Sequence, residues 1–181
     1  MATKIVKKFQ SNGEEVIFRY PCMGDIDDIL CNANALIEER SFISLRGKQT
    51  KVSERKWLSS LLRKIKAKTA MALAVEINGR VVGLANISKG EKEPFFHVGV
   101  FGISLSKEAR GRGIGKDLLY AVVREARKAL RINIVTLTVV GENKTAIRCY
   151  QSCEFETVGV IKGGINHYGK YLDYVYMVKY L

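Results

Sequence analysis

The sequence predicts an α/β (α+β) protein: one central mixed, mostly antiparallel sheet of about seven strands, flanked by about four helices. Three observations predict it. Short apolar runs rich in Val, Ile, Phe and Tyr dominate the chain order. Two Asn-Gly pairs, Asn12-Gly13 and Asn78-Gly79, stand between such runs. They mark two-residue hairpins, because both central positions of a type I′ turn need positive φ. Helical spacing of apolar residues is confined to four stretches, the longest beginning just after a glycine-rich turn at residues 111–115.

In chain order, Ile5 to Phe9 and Val16 to Tyr20 form the first hairpin, and Pro21 ends its second strand. Asp25 stands as the N-cap of a helix reaching about Arg40, with Ile26, Ile29, Leu30, Ala33 and Ile37 on one face. A second helix starts near Ser53, with Glu54 at the positive end of its dipole. It buries Trp57, Leu58, Leu61, Leu62 and Ile65 and leaves Arg55, Arg63, Lys64, Lys66 and Lys68 in water. Strands follow at Ala70 to Ile77 and Val81 to Ser88, and then at Phe95 to Leu105, where Gly99 and Gly102 mark a bulge or a close approach. Ile114, Leu118, Val122, Ala126 and Ala129 line the third helix. Strand Ile134 to Val140 leads to a short helix from about Lys144 to Cys153, and strands near Phe155 to Ile161 and Tyr171 to Tyr180 close the chain.

At 181 residues the chain suits one domain, residues 1–181. Two prolines, no repeat and no low-complexity tract leave no sign of a linker. No apolar run reaches the roughly 18 residues of a membrane helix, and MATKIVKKFQ lacks the apolar core of a secretory signal, so the cytoplasm is the expected location. Cys22, Cys31, Cys149 and Cys153 form no C-x-x-C pair and have no histidine at zinc-ligand spacing, which reads as packed, reduced thiols and no metal. Thirty Lys and Arg against eighteen Asp and Glu give a formal charge of +12, which favours either a polyanionic partner or simply a basic solvated surface.

The chemistry gathers at ISLSKEARGRGIGKDLL, a strand end, a basic glycine-rich turn and a helix start. The first turn of a helix offers unpaired N–H groups and the positive end of a dipole, and glycine lets an anion approach them. Arg110, Arg112 and Lys116 add charge, so a pyrophosphate suits the place; a plain tight turn without a ligand is the competing reading. A Walker A loop would need glycine at 110 and Ser or Thr at 117, which are Arg110 and Asp117. A Rossmann fingerprint opening at Gly111 and Gly113 would need glycine or alanine at Lys116. Both fail.

What the segment does match is Arg/Gln-x-x-Gly-x-Gly/Ala, read as Arg110, Gly113 and Gly115. This resembles the pyrophosphate signature of the GNAT acetyltransferases. The resemblance extends through ISLSKEA upstream and LTVVGENKTAIRCYQSCEF and GKYLDYVYM downstream, over roughly residues 80–180, and is nearest to the phosphinothricin, polyamine and protein acetyltransferase branches. It implies acetyl-CoA as cosubstrate, held by Arg110, Gly111, Arg112, Gly113, Ile114, Gly115 and Lys116 at the pyrophosphate, and by Ile103, Leu105, Asn143 and Ala146 along the pantetheine. It further implies Tyr150 as the general acid and acetyl transfer to a primary amine within a ternary complex. The amine could belong to a small compound, an amino-acid-like compound or a protein; many members dimerise.

Two departures stand out. Glu154 occupies a position where the family commonly has glycine, and Thr138 occupies the place where some branches carry a glutamate base. The base is therefore open among Glu38, Glu39, His97, His167 and water, and Asp173 in the last strand is either functional or a hydrogen-bonded structural carboxylate. Two other readings compete with catalysis: a basic nucleic-acid binder using Arg110 and Arg112, less favoured than an enzyme, and a GNAT fold that binds acyl-CoA without turnover.

Overall fold

The computed structural model describes residues 3–181. One eight-stranded sheet runs through them in the order β1-β2-β3-β4-β5-β6-β8-β7; each strand overlaps a run located in the sequence, and the total is one above the rough count of seven. Its strands are β1 (Ile5–Ser11), β2 (Glu14–Arg19), β3 (Ala70–Ile77), β4 (Arg80–Lys89), β5 (Val98–Leu105), β6 (Ile134–Val140), β7 (Glu156–His167) and β8 (Lys170–Tyr180). The helices are α1 (Ile26–Glu38), α2 (Lys51–Lys66), α3 (Ile114–Leu130) and α4 (Lys144–Gln151). Among the described residues no helix is long and apolar enough to cross a membrane.

Both Asn-Gly turns adopt the expected conformation, with φ of 53° and 78° at Asn12-Gly13 and 51° and 76° at Asn78-Gly79. Every neighbouring pair of strands is antiparallel except β5 and β6. Parallel neighbours need a crossover, and α3 supplies it. That pairing is brief: only Val98–Val100 face Ile134–Thr136 in register. Beyond Val100, β5 continues to Leu105 paired with β4 alone, while β6 continues to Val140 paired with β8 alone. The sheet is thereby split into a wedge that opens toward the carboxyl ends of both strands.

Two apolar layers clamp the sheet. On one face Ile114, Leu118, Leu119, Val122, Ala126 and Leu130 of α3 pack on Phe18, Leu73, Val75, Ile87, Phe101, Leu137 and Met177. On the other, Ile26 and Ile29 of α1 and Leu58 and Leu61 of α2 cover Ala70, Ala72, Ala74, Val81 and Leu84. The first six residues of strand β3 show why: the odd ones are the bulky Met71, Leu73 and Val75, and the even ones are Ala70, Ala72 and Ala74. Alternation of side chains across a strand sends each set to its own layer, so α1 and α2 sit close to the sheet.

Several expectations shift. Asp25 precedes α1 but makes no capping bond; its buried carboxylate accepts from Arg19 Nη1 and Nη2 at 3.0 and 2.8 Å and from the Cys22 N–H at 2.8 Å. Arg19 also donates to Glu76, so a buried cation claims the carboxylate before the helix can. The second helix starts earlier, capped by Thr50, whose Oγ1 accepts from the Ser53 N–H at 3.1 Å. Trp57, expected inside, is 43% exposed, and Glu54 takes an inward position instead; burial raises its carboxyl above the ordinary range. His97 lies in the turn before β5 rather than on it, and β7 extends to His167 through a Tyr168-Gly169 turn with φ of 51° and 87°.

Gly99 stands where the parallel pairing is made. A Cβ there would come within 2.6 Å of Ile87 Cγ2 and 2.8 Å of Ile132 Cδ1, whereas one at Gly102 would meet only Asn86 Oδ1 at 3.5 Å. Overpacking of this kind costs roughly 1–3 kcal/mol. Gly99→Ala is therefore expected to lower the urea-unfolding free energy by that amount, with Gly102→Ala, three residues along the same strand, changing it far less.

Candidate active site

At the open end of the wedge, β5 runs through a single tight turn at Lys107–Ala109 into the glycine-rich segment. Buried Ala109 and Ile114 anchor it on either side. Arg110 is extended, Gly111 and Gly113 have φ of 71° and 76°, and Gly113 is the N-cap of α3. A Cβ on Gly111 or Gly113 would strike nothing, so glycine serves there for its left-handed φ. Gly115 serves differently: a Cβ on it would stand 3.3 Å from Leu105 Cδ1, so glycine lets α3 start close to the strand.

The result is a run of free donors. Lys116 and Asp117 donate back to the Gly113 carbonyl, but the N–H groups of residues 111–115 find no acceptor among the described residues. Five consecutive unpaired amides at the positive end of a 17-residue helix form a seat for an anion.

The three cations around it are not equivalent. Arg110 Nη1 pairs with Glu39 Oε2 at 2.9 Å, and its Nε donates to the Leu105 carbonyl at 3.0 Å. Glu39 is pulled both ways: partial burial opposes its ionisation, but hydrogen bonds from Arg110 and Ser41 prevail and hold its carboxyl below the ordinary range. Lys116 is exposed on the first turn of α3. Arg112 corrects the expectation of a phosphate-directed side chain. Its guanidinium is spent on the first hairpin, pairing with Glu14 Oε2 at 2.8 Å and donating to the Ser11 carbonyl at 2.5 Å and the Ser11 hydroxyl at 3.3 Å. Only its main chain faces the seat.

The wedge itself has two unlike faces. Odd residues of β5, Ile103 and Leu105 among them, pack toward α3, so the chain offers their backbone edge rather than their side chains to the opening. On this side lies α4. Asn143 is its N-cap, with Oδ1 accepting from the Ala146 N–H at 3.2 Å, and its amide nitrogen has no acceptor among the described residues. Tyr150 is wedged between Phe101 and Phe155, each ring centroid 6.1 Å away, and its hydroxyl has no partner among the described residues. Burial, reinforced by the neighbouring Cys149 and Cys153, raises the Tyr150 phenol well above its usual value, so it stays protonated through neutral pH.

By the same alternation Val100, Gly102 and Ser104 of β5, Thr136 and Thr138 of β6, and Tyr174 and Tyr176 of β8 point to the opposite face. Thr138 Oγ1 and the Tyr174 hydroxyl share a hydrogen bond of 2.6 Å. This floor carries hydroxyls and aromatic rings, and Glu39 is the carboxylate at its rim. The candidate bases are dispersed. Glu38 is exposed at the end of α1, and His97 lies at the closed end of the wedge, where its carbonyl accepts from Asn133 and Ile134. His167 is locked into the rim: one ring nitrogen meets the Arg40 carbonyl at 3.1 Å, the other Arg46 Nη2 at 3.3 Å, and the ring packs on Phe42 and Tyr168. Asp173 pairs with Lys162 at 2.7 Å and accepts from the Gly163 N–H at 3.2 Å, which lowers its carboxyl. Sequence reasoning missed Glu39 as the partner of Arg110, a contact between residues 71 apart that no local pattern signals. Glu154 is left-handed, with φ of 66°, and Lys179 pairs with its carboxylate.

A strand–turn–helix with free amides, beside a split parallel pair, makes an α/β fold with an open, donor-rich groove. The chain belongs to the acetyltransferase (GNAT) family, whose model matches residues 35–155. It is similar to the L-amino acid N-acetyltransferase AaaT of Escherichia coli (strain K12), 31% identical over 103 residues, which are 57% of this chain and 64% of that protein. The chain spans less than two thirds of the length of the curated relatives it matches. A ribosomal-protein-alanine N-acetyltransferase from Brucella melitensis superposes with a TM-score of 0.82 at 26% identity, over 91% of this chain and 99% of that one. A phosphinothricin acetyltransferase from Sinorhizobium meliloti, solved in complex with AcCoA, shares the fold at a TM-score of 0.81 and 21% identity, over 92% and 88% of the two chains.

The Tyr150 environment carries a pH signature. Its phenol binds a proton more tightly folded than unfolded, so the stability it lends is complete below the unfolded value of about 10 and fades as pH climbs beyond it. Wild type should lose unfolding free energy between pH 9 and 11 more steeply than Tyr150→Phe (pH range set by the ordinary phenol value of ~10), as read by denaturant titrations across that interval.

Proposed function

We propose that this chain is an N-acetyltransferase, folded as one domain, that moves the acetyl group of acetyl-CoA to a primary amine. The observation that carries the reading is the seat of five unpaired amides at residues 111–115, opening onto the split between β5 and β6. A diphosphate fits such donors without further help, with Arg110 and Lys116 supplying charge from either side. Amides of Gly111, Arg112, Gly113, Ile114 and Gly115 hold the phosphates. The backbone edge at Ile103 and Leu105, which has no partner strand on the β6 side, receives the amide-bearing pantetheine as a further strand would be received, and Asn143 and Ala146 close the opposite side.

The cosubstrate supplies an activated acetyl thioester; the residues of the chain orient it and manage protons. The N–H groups of β5 left without a β6 partner are the donors available for negative charge that develops on the thioester oxygen. Tyr150, neutral and unpartnered, donates its proton to the sulfur as the carbon–sulfur bond breaks and the carbon–nitrogen bond forms. The amine approaches from the floor of Ser104, Thr138, Tyr174 and Tyr176. An alkylammonium of pKa ~10.4 must first lose a proton, at roughly 4–5 kcal/mol at pH 7. Water on that open face is the favoured acceptor of it, since Glu39 is engaged and both histidines lie apart.

The floor favours a singly charged amine over a polycation, because the rim carboxylate Glu39 is already paired with Arg110. Small amines and amino-acid-like amines fit this best, in keeping with an L-amino acid N-acetyltransferase among the relatives; an exposed protein amine is the second reading, supported by the ribosomal-protein acetyltransferase among the structural neighbours.

Acetyl-CoA at 100 times its dissociation constant should stabilise the protein by about 2.7 kcal/mol, visible as a raised Tm. A thiol-release screen across amino acids, polyamines and peptides should find turnover, with Tyr150→Phe lowering kcat about 100-fold at little cost in acetyl-CoA affinity. Full activity in that variant would return Tyr150 to a packing role. Glu39→Gln releases Arg110 and should tighten acetyl-CoA binding several-fold in calorimetry.

A further inference from the structure

Positive charge is spread along the sequence, but one helix is richest in it. Helix α2 carries Lys51, Arg55, Lys56, Arg63, Lys64 and Lys66 against a single acidic residue, Glu54, which is turned inward. Those 16 residues hold a net +5 of the chain's +12. Among the described residues only Lys51 has an acidic partner, Asp27. The other five cations of the helix are uncompensated.

At about 100° per residue, Glu54, Leu58 and Leu61 share the inward arc. Lys56 and Arg63 crest the opposite side; Arg55 and Lys66 flank them one way, and Trp57 and Lys64 the other. Trp57 is the only tryptophan of the chain, and it stands 43% exposed on this cationic helix. An indole that shares its flank with Lys64 and borders the crest of Lys56 and Arg63 is a stacking platform beside a phosphate track.

We infer that the outer face of α2 docks single-stranded nucleic acid, with phosphates on Arg55, Lys56, Arg63 and Lys64 and a base on Trp57. A lipid surface fits less well: the apolar stripe of α2 is consumed against β3 and α1, leaving no face to sink into a bilayer. An acidic peptide would use the cations but give the indole nothing to do. Nucleic acid uses both. The surface shares no residue with the seat at 111–115, lying over β3, two strands away from β5. Docking there and turnover at the wedge are therefore separable, and the failure of one reading leaves the other standing.

The test uses the full chain and a labelled 20-nucleotide poly-U RNA, read by anisotropy and by quenching of the lone tryptophan. Binding should weaken with salt along a log–log slope of about −2 to −3, as three or four phosphate contacts require. The triple variant Arg55→Glu, Lys56→Glu, Arg63→Glu should bind at least 30-fold more weakly, and Trp57→Ala about 5- to 10-fold more weakly. An equal charge change elsewhere, Arg124→Glu, Arg127→Glu, Lys128→Glu on the exposed side of α3, should leave most of the affinity, with thermal melts confirming that each variant is folded. Equal losses from the two triple variants would reduce the effect to net charge and overturn the proposal. So would the absence of quenching, or tighter binding to phosphatidylserine vesicles or to poly-glutamate than to RNA.

Discussion

The pairing of β5 with β6 lasts for three residues, and most of what the fold positions follows from its brevity. A longer ladder would close the sheet and leave nothing to hold an extended ligand. A shorter one would separate the two halves, since β1 to β5 and β6 to β8 join nowhere else in the sheet. Gly99 permits the contact, because Ile87 and Ile132 fill the space where any side chain would go. The opening is thus bounded at one end by tight apolar packing and at the other by the start of α3.

That start is held by the core rather than by local propensity. Ile114 is fully buried one residue after the N-cap, and burying such a side chain contributes roughly 2–3 kcal/mol. The helix cannot begin earlier, because Gly111 and Gly113 are left-handed, and it cannot withdraw, because Leu105 touches Gly115. Free amides that would otherwise fray are fixed in direction before any anion arrives. The two faces of the wedge then divide labour by polarity: a phenol kept neutral among rings on one side, and hydroxyls open to water on the other.

Much of this could be read from residue order, and the remainder shows where such reading stops. Asn12-Gly13 and Asn78-Gly79 announced their turns because so few residues tolerate positive φ twice in succession. Tyr168-Gly169 makes the same turn unannounced, since tyrosine has no such preference and only the hairpin around it imposes one. The period of α2 was evident but its phase was not: Trp57 and Glu54 exchanged their expected environments, because hydrophobicity alone does not tell which residues meet the small alanines of β3. The glycine turn and the helix start behind it were legible. The fates of the arginines around it were not, for Glu39 and Ser11 lie about 70 and 100 positions away, and Asp25, which looked like a cap, was claimed by Arg19 from the preceding strand.

Arg112 has a wider consequence. By gripping Ser11 and Glu14 it ties the floor beneath the glycine turn to the bend of the first hairpin. The outermost two strands of the sheet, seemingly remote from any chemistry, therefore act as a buttress. Slack introduced there, by a looser bend or a lost carboxylate, would be felt as a wandering of the amides long before the interior gave way.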